Sequence, residues 1–185
     1  LVHDDIVDNS DLRRGITTVN VAWSNSHGVL IGDFIYSKAF MLMNEIGNLK
    51  VIDELSSATN KIAEGELMQL ENKNNLDTSL QQLKRISYYK TGRLFEASAK
   101  SAAMLSNKST SFTENISKAA KLIGIASQVR DDLLDYGISK GNIGKPEMQD
   151  ILEYKITYPL YFALKSSSKK DTSRILKKIK NKDYG

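Results

Sequence analysis

Apolar residues recur at three- and four-residue intervals along nearly the whole 185-residue chain, and no stretch alternates convincingly as a half-buried strand does. With only two prolines to interrupt that spacing, the pattern restricts the chain to an all-α fold. The run "VLIGDFIYSKAFMLM" at residues 29 to 43 is apolar on nearly every face, which predicts a central buried helix ending at Gly47 and Asn48. Helical spacing resumes from Leu49 to Leu70 and stops at "NKNNLDTS", where Asp77 or Thr78 is the expected N-cap. A further helix is expected from about Leu80 to Met104, and another from Thr113, its expected N-cap, to about Tyr136. "GISKGNIGKP" reads as a Gly-rich loop closed by Pro146, and a last pair of helical segments flanks a break or kink at Pro159.

The 41% hydrophobic content suffices for one domain with a real core. The absence of cysteine excludes disulfides, thiolate nucleophiles and cysteine metal sites, and agrees with a reducing compartment. No apolar run reaches the roughly 20 residues that span a bilayer, and Asp4 and Asp5 break up the only candidate leader, so the expectation is a soluble cytoplasmic protein. The net charge of +4 is concentrated at one end: residues 165 to 185 carry +6, as a basic tail or terminal helix, and the remainder is −2. That run lacks the interleaved aromatics that would stack bases, so nucleic acid is not expected as a partner.

One short pattern occurs twice. Residues 4 to 8 read "DDIVD" and residues 131 to 135 read "DDLLD", where 13 aspartates in 185 residues would give roughly 0.06 occurrences by chance. On a helix Asp4 and Asp8 share a face, as do Asp131 and Asp135, with Asp5 and Asp132 beside them. Like charges so packed repel, and the second cluster lies among Ile123, Ile125, Val129, Leu133 and Leu134, which predicts that one face is packed in the core. Cations would neutralise such clusters. Oxygen ligands without Cys or a histidine pair select Mg²⁺, which takes one or two carboxylates and completes its shell with water and substrate phosphate. Arg13, Arg14, Lys90, Lys145 and Lys155 are candidates for the phosphate oxygens. No Walker-type or kinase motif is present. Departure of diphosphate from an allylic carbon fits better: metal and cations stabilise the leaving group, and dry walls protect the carbocation from water.

At this point the residues resemble the trans-isoprenyl diphosphate synthases, or polyprenyl synthetases. "DDIVDNSDLRRG" looks like the family's first aspartate-rich motif and "GIASQVRDDLLDY" its second. "IAEGELMQL", "YYKTGRLFEASA" and "IGKPEMQDILEYKITYPL" are also similar, so the resemblance covers nearly residues 1 to 164. Within the family the wording is nearest to long-chain bacterial enzymes. The resemblance implies an isoprenoid-synthase-like helical bundle around a central cavity, with residues 1 to 185 forming a single, partial domain that lacks the family's N- and C-terminal helices. It implies that Asp4, Asp5, Asp8, Asp131, Asp132 and Asp135 bind Mg²⁺, and that Arg13 contacts the allylic diphosphate and Arg14 that of isopentenyl diphosphate. Lys90, Lys145 and Lys155 would hold the allylic diphosphate, with Thr91 and Gln128 at the reacting end. The implied reaction condenses isopentenyl diphosphate with an allylic diphosphate such as farnesyl diphosphate, to give a long polyprenyl diphosphate for isoprenoid quinone side chains. A homodimer is implied, and a long product would be delivered to a membrane.

The chain departs from the family wording at Ser127 and Arg130, at Pro146 after Lys145, and at Met148 and Tyr154, which stand where glycines are usual. Those departures and the shortness of the chain leave open a non-catalytic or degenerate subunit of a prenyl synthase complex. A class I terpene cyclase, which ionises the same kind of substrate, is a second alternative, opposed by the second full D-D-x-x-D and the Arg13–Arg14 pair. His3 and His27 read as local hydrogen-bonding and helix-end residues. Trp23, Tyr88 and Tyr89 read as core or dimer contacts, and Phe40, Met41 and Met43 as core.

Overall fold

A computed structural model describes residues 1–73, 75, 77–137 and 148–181. Among the described residues the architecture is all-α apart from one hairpin of two-residue strands, and Cα packing divides the chain into two compact units.

The first unit contains Leu1–Ile52. Its opening aspartate motif forms α1 (Val2–Val7), with Asp8 at the C-cap. "DLRRGIT" then makes the hairpin that periodicity missed: β1 (Leu12–Arg13) pairs antiparallel with β2 (Ile16–Thr17), Arg13 opposite Ile16. Arg14 and Gly15 between them both have positive φ (54° and 77°), the two-residue primed turn that matches strand twist, and the strands are too short to show alternation. Thr18 Oγ1 donates to the Ser10 carbonyl at 2.7 Å, closing the loop back onto the end of the motif. After α2 (Val19–Ala22), Ser24 caps α3 (Asn25–Glu45). α1 lies on α3 where Gly28 and Gly32 leave room: a Cβ on Gly28 would come 2.7 Å from Ile6, and one on Gly32 would collide with the His3 ring.

The expected burial of α3 is not what the structure shows. Gly28 and Gly32 are its only buried residues, whereas Leu30, Phe34, Ile35, Met41 and Leu42 are exposed and Phe40 and Met43 are half-buried. An all-round apolar sequence implies a helix needing neighbours on every side, and within this unit α1 and α2 cover one narrow stripe. Trp23 is likewise exposed rather than core.

The second unit begins at Asp53, within α4 (Leu49–Glu71). Ser79, not Asp77 or Thr78, caps α5 (Leu80–Ser87): its Oγ accepts from Gln82 N at 3.2 Å, and Gln82 Oε1 accepts from Ser79 N at 2.8 Å. The helix expected over 80–104 is interrupted by a π-helical segment, Tyr88–Gly92, before α6 (Arg93–Leu105). Ser109 rather than Thr113 caps α7 (Thr110–Asp135); Thr113 instead donates to the Ser109 carbonyl. α8 (Gln149–Leu152), α9 (Tyr158–Ser166) and α10 (Lys169–Lys180) follow. Pro159 lies in the first turn of α9, where its missing N–H costs nothing, so it starts a helix instead of kinking one.

Small residues set the close packing of this unit. α6 and α7 pack together and carry small buried residues, Ala97 and Ser101 on the first and Ser117 and Ala120 on the second, and a Cβ on Gly124 would lie 2.7 Å from Gly92 Cα. On α4, a Cβ on Gly65 would lie 2.8 Å from the Lys90 backbone nitrogen. The π-helical segment is therefore approached closely at two glycines. A separate apolar cluster, Ile151, Ile156, Leu160 and Ile179, ties α8, α9 and α10 together. Around the second aspartate motif one face is packed as expected, with Asp132 and Leu134 buried and Ile125, Val129 and Leu133 half-buried, but Ile123 is 61% exposed and lies outside it.

Met148 and Tyr154, the two residues that replace expected glycines, both have left-handed backbones, with φ of 64° and 56°. Each side chain there costs about 1 kcal/mol relative to glycine. Tyr154 recovers part of that cost by packing on the Ile151 cluster, whereas Met148 is 40% exposed. Met148→Gly is therefore expected to stabilise the protein by about 0.5–1 kcal/mol, read as a raised thermal midpoint; a lowered midpoint would contradict the strain.

Candidate active site

Lys90, Gln128, Asp132 and Lys155, four of the residues singled out in the sequence, line one cleft of the second unit, together with Gln69 and Tyr158 and with Leu83 and Ile86 as apolar wall. Three elements bring them there: the π-helical segment presents Lys90 and Thr91, the last turns of α7 present Gln128 and Asp132, and Lys155 precedes α9. Thr91 Oγ1 donates to Gln128 Oε1 at 2.7 Å, and Gln128 Nε2 donates to Asp132 Oδ1 at 2.9 Å. This chain fixes the amide of Gln128 and leaves Thr91 and Gln128 unable to rotate independently.

Asp132 is 6% exposed, and burial pushes its carboxyl up to about 6. The Gln128 amide, the Tyr158 N–H and the nearby Lys90 lower it, and Asp131 raises it further. Asp131 lies at the exposed edge of the same turn. Asp135 has a different set of partners: its Oδ1 accepts from Gln149 N at 3.1 Å and its Oδ2 from Asp150 N at 3.0 Å, so both oxygens cap α8. Asp150, which sequence reasoning missed, is pushed up to about 7 by burial and by Asp135 and Asp132. A fourth acidic side chain thus stands by the second motif, brought there from 15 residues beyond Asp135, which spacing alone does not reveal.

The cations of the cleft are already paired. Lys90 Nζ donates to Gln69 Oε1 and lies 2.9 Å from Glu66 Oε2, and Lys155 Nζ lies 2.8 Å from Glu153 Oε2. Glu66 and Gln69 were not singled out in the sequence; their spacing of three on α4, within "IAEGELMQL", was the available signal.

In the first unit, Asp5 is buried, and Arg13 Nε donates to its Oδ1 at 2.7 Å. Asp4 and Asp8 are half-buried one turn apart, and Arg14 is exposed in the hairpin turn. His3 contacts the Val29 carbonyl and Asp33, and His27 contacts Ser24, both local roles. Lys145 and Pro146 lie outside the described residues. Among the described residues no three His, Cys, Asp or Glu side chains converge as a preformed metal cage. Asp131 and Asp132 nevertheless fit a hard divalent ion, because Mg²⁺ characteristically takes one or two carboxylates and draws its other ligands from water and phosphate. Among the described residues no helix is long and apolar enough to cross a membrane.

The all-α fold, with acidic and basic residues gathered in one cleft of the second unit, sets the class of protein to which the chain is compared. The Polyprenyl synthetase family profile matches residues 1–184, and the chain belongs to that family. It is 43% identical over 164 residues to the octaprenyl diphosphate synthase of Escherichia coli (strain K12), covering 89% of this chain and 51% of that protein. It is 38% identical over 179 residues to the all-trans-nonaprenyl-diphosphate synthase (geranyl-diphosphate specific) of Rhodobacter capsulatus, covering 97% and 55%. The crystal structure of a polyprenyl synthase from Caulobacter crescentus CB15, complexed with calcium and isoprenyl diphosphate, superposes with a TM-score of 0.92 at 33% identity, over 100% of this chain and 56% of that one. The chain thus spans about half the length of the curated relatives it matches.

Proposed function

We propose that this chain acts in a Mg²⁺-dependent trans-prenyltransferase that condenses isopentenyl diphosphate with an allylic diphosphate such as farnesyl diphosphate to give a long linear polyprenyl diphosphate. The observation that carries this reading is the convergence of Lys90, Gln128, Asp132 and Lys155 on one partly apolar cleft. In the reaction the allylic C–O bond breaks with its electron pair going to diphosphate. The isopentenyl double bond then forms the new C–C bond, and a proton is lost to the departing diphosphate.

Lys90 and Lys155, with Lys145 by family resemblance, would bind the allylic diphosphate, and the Thr91–Gln128 pair would orient its reacting end. Arg13 and Arg14 are assigned the allylic and isopentenyl diphosphates in turn. Asp131 and Asp132, and in the first motif Asp4, Asp5 and Asp8, would hold Mg²⁺; Asp135 would have to release the α8 amides to join them. The metal, when bound, neutralises charge that develops on the leaving diphosphate. The wall formed by Leu83 and Ile86 keeps water from the carbocation side.

Incubation with farnesyl diphosphate and Mg²⁺, with and without isopentenyl diphosphate, tests the reaction type. Longer linear diphosphates made only with isopentenyl diphosphate support the synthase, whereas a cyclic hydrocarbon made without it points to a terpene cyclase. The exposed apolar residues of α3 favour one further reading, a subunit that works with a partner, either a second copy or a different chain. Product formed only after a partner is added would select that reading.

A further inference from the structure

Lys90 does not enter the cleft as a bare cation. Its ammonium donates to Gln69 Oε1 and lies 2.9 Å from Glu66 Oε2, both from α4, and the lysine and glutamate side chains are only 18% and 27% exposed. The approach is built into the backbone, because Gly65, next to Glu66, lets α4 come so near that a Cβ would lie 2.8 Å from Lys90 N. A half-buried ammonium needs a counter-charge, and two oxygens three residues apart on one helix supply a carboxylate and a neutral acceptor.

We infer that Glu66 is a built-in competitor of diphosphate for Lys90: it occupies the ammonium when the cleft is empty, and an incoming diphosphate must displace it. Gln69 is the neutral half of the cradle and keeps Lys90 aimed while the anionic partner changes. This rests on Lys90 binding diphosphate, as proposed above. Glu66 is thus a positioning residue, with a sign opposite to that of a structural one: removing its charge raises affinity for the anion. The same arrangement returns Lys90 to a neutralised state once product leaves.

Inorganic diphosphate titrated into the full chain in EDTA, followed by ³¹P NMR, tests this without metal or turnover. Glu66→Gln is expected to tighten binding about fivefold, and Gln69→Glu, which adds a second competing carboxylate, to weaken it by a similar factor. Glu64→Gln controls for loss of any negative charge, because Glu64 pairs with Lys61 and Arg85 instead of Lys90, and it should leave affinity unchanged. Affinity of Glu66→Gln equal to or below the wild type, or an equal gain in Glu64→Gln, would overturn the inference. Lys90→Gln separates the two levels. If it lowers affinity while Glu66→Gln does nothing, only the role of Glu66 falls; if it changes nothing, the reading of Lys90 falls as well.

Discussion

Asp132→Asn is expected to remove at least about 10²-fold of the proposed prenyl-transfer activity while making the metal-free protein more stable at pH 8. Both effects have one cause. Burial pushes the Asp132 carboxyl up to about 6, above the unfolded value of about 3.9, so the native state binds the extra proton between those two pH values. Stability therefore falls as pH rises through that window, and the full cost, about 3 kcal/mol as an upper figure, is present above it. Asparagine removes the buried charge but cannot accept from both Gln128 Nε2 and Tyr158 N as the carboxylate does, which reduces the net gain to about 1–2 kcal/mol. Thermal melts in EDTA should show the variant more stable than wild type at pH 8 and equal to it near pH 4. Asp150, pushed up to about 7, acts in the same direction, so the wild type itself should lose stability between about pH 4 and 7. A variant no more stable at pH 8 would show that Asp132 does not carry a costly charge.

Arg93→Met should have the largest effect on stability alone. Arg93 Nη1 lies 2.5 Å from Glu54 Oε1 and 3.5 Å from Glu96 Oε2, and Arg93 and Glu54 are each 8% exposed. Burial by itself would raise the Glu54 carboxyl, but the hydrogen bonds from Lys100 and Arg93 outweigh it and hold Glu54 below its ordinary value. Without Arg93, Glu54 keeps, among the described residues, the half-exposed Lys100, and Glu96 keeps Tyr88, whose hydroxyl donates to it at 2.6 Å and is itself pushed up to about 12 by burial and that bond. Breaking a buried pair by removing one partner costs about 3–5 kcal/mol, and we expect about 3 kcal/mol by urea denaturation because Lys100 remains. A loss below about 1 kcal/mol would mean that the pair is not desolvated in solution.

Local chemistry explains which parts of this fold could be read from residues alone. Apolar spacing located α3, α4 and α7 within a few residues, because each keeps a helical period over at least five turns. The π-helical segment was hidden because one extra residue in "YYKTG" changes the facing of Lys90 and Thr91 without breaking the surrounding period. Burial of α3 was overestimated because hydrophobicity records what a helix could bury and says nothing about which neighbours are available. At the site, the charged residues of the cleft were named because their types suit diphosphate. Their mutual pairing was not, since Glu66 meets Lys90 across 24 residues and Asp135 meets the α8 amides across 14 or 15. Met148 and Tyr154 were flagged as departures, and their positive φ gives the physical reason glycine is expected there.

Metal-dependent chain elongation by this chain is measured by incorporation of labelled isopentenyl diphosphate into solvent-extractable prenyl diphosphates, with farnesyl diphosphate as primer, by wild type and Asp132→Asn in Mg²⁺ and in EDTA. Chain-elongated product is expected with wild type in Mg²⁺, none in EDTA and at least about a 10²-fold loss in the variant. Incorporation that persists in EDTA or in Asp132→Asn would contradict the proposed function, as would failure to incorporate in Mg²⁺ both alone and with an added partner chain.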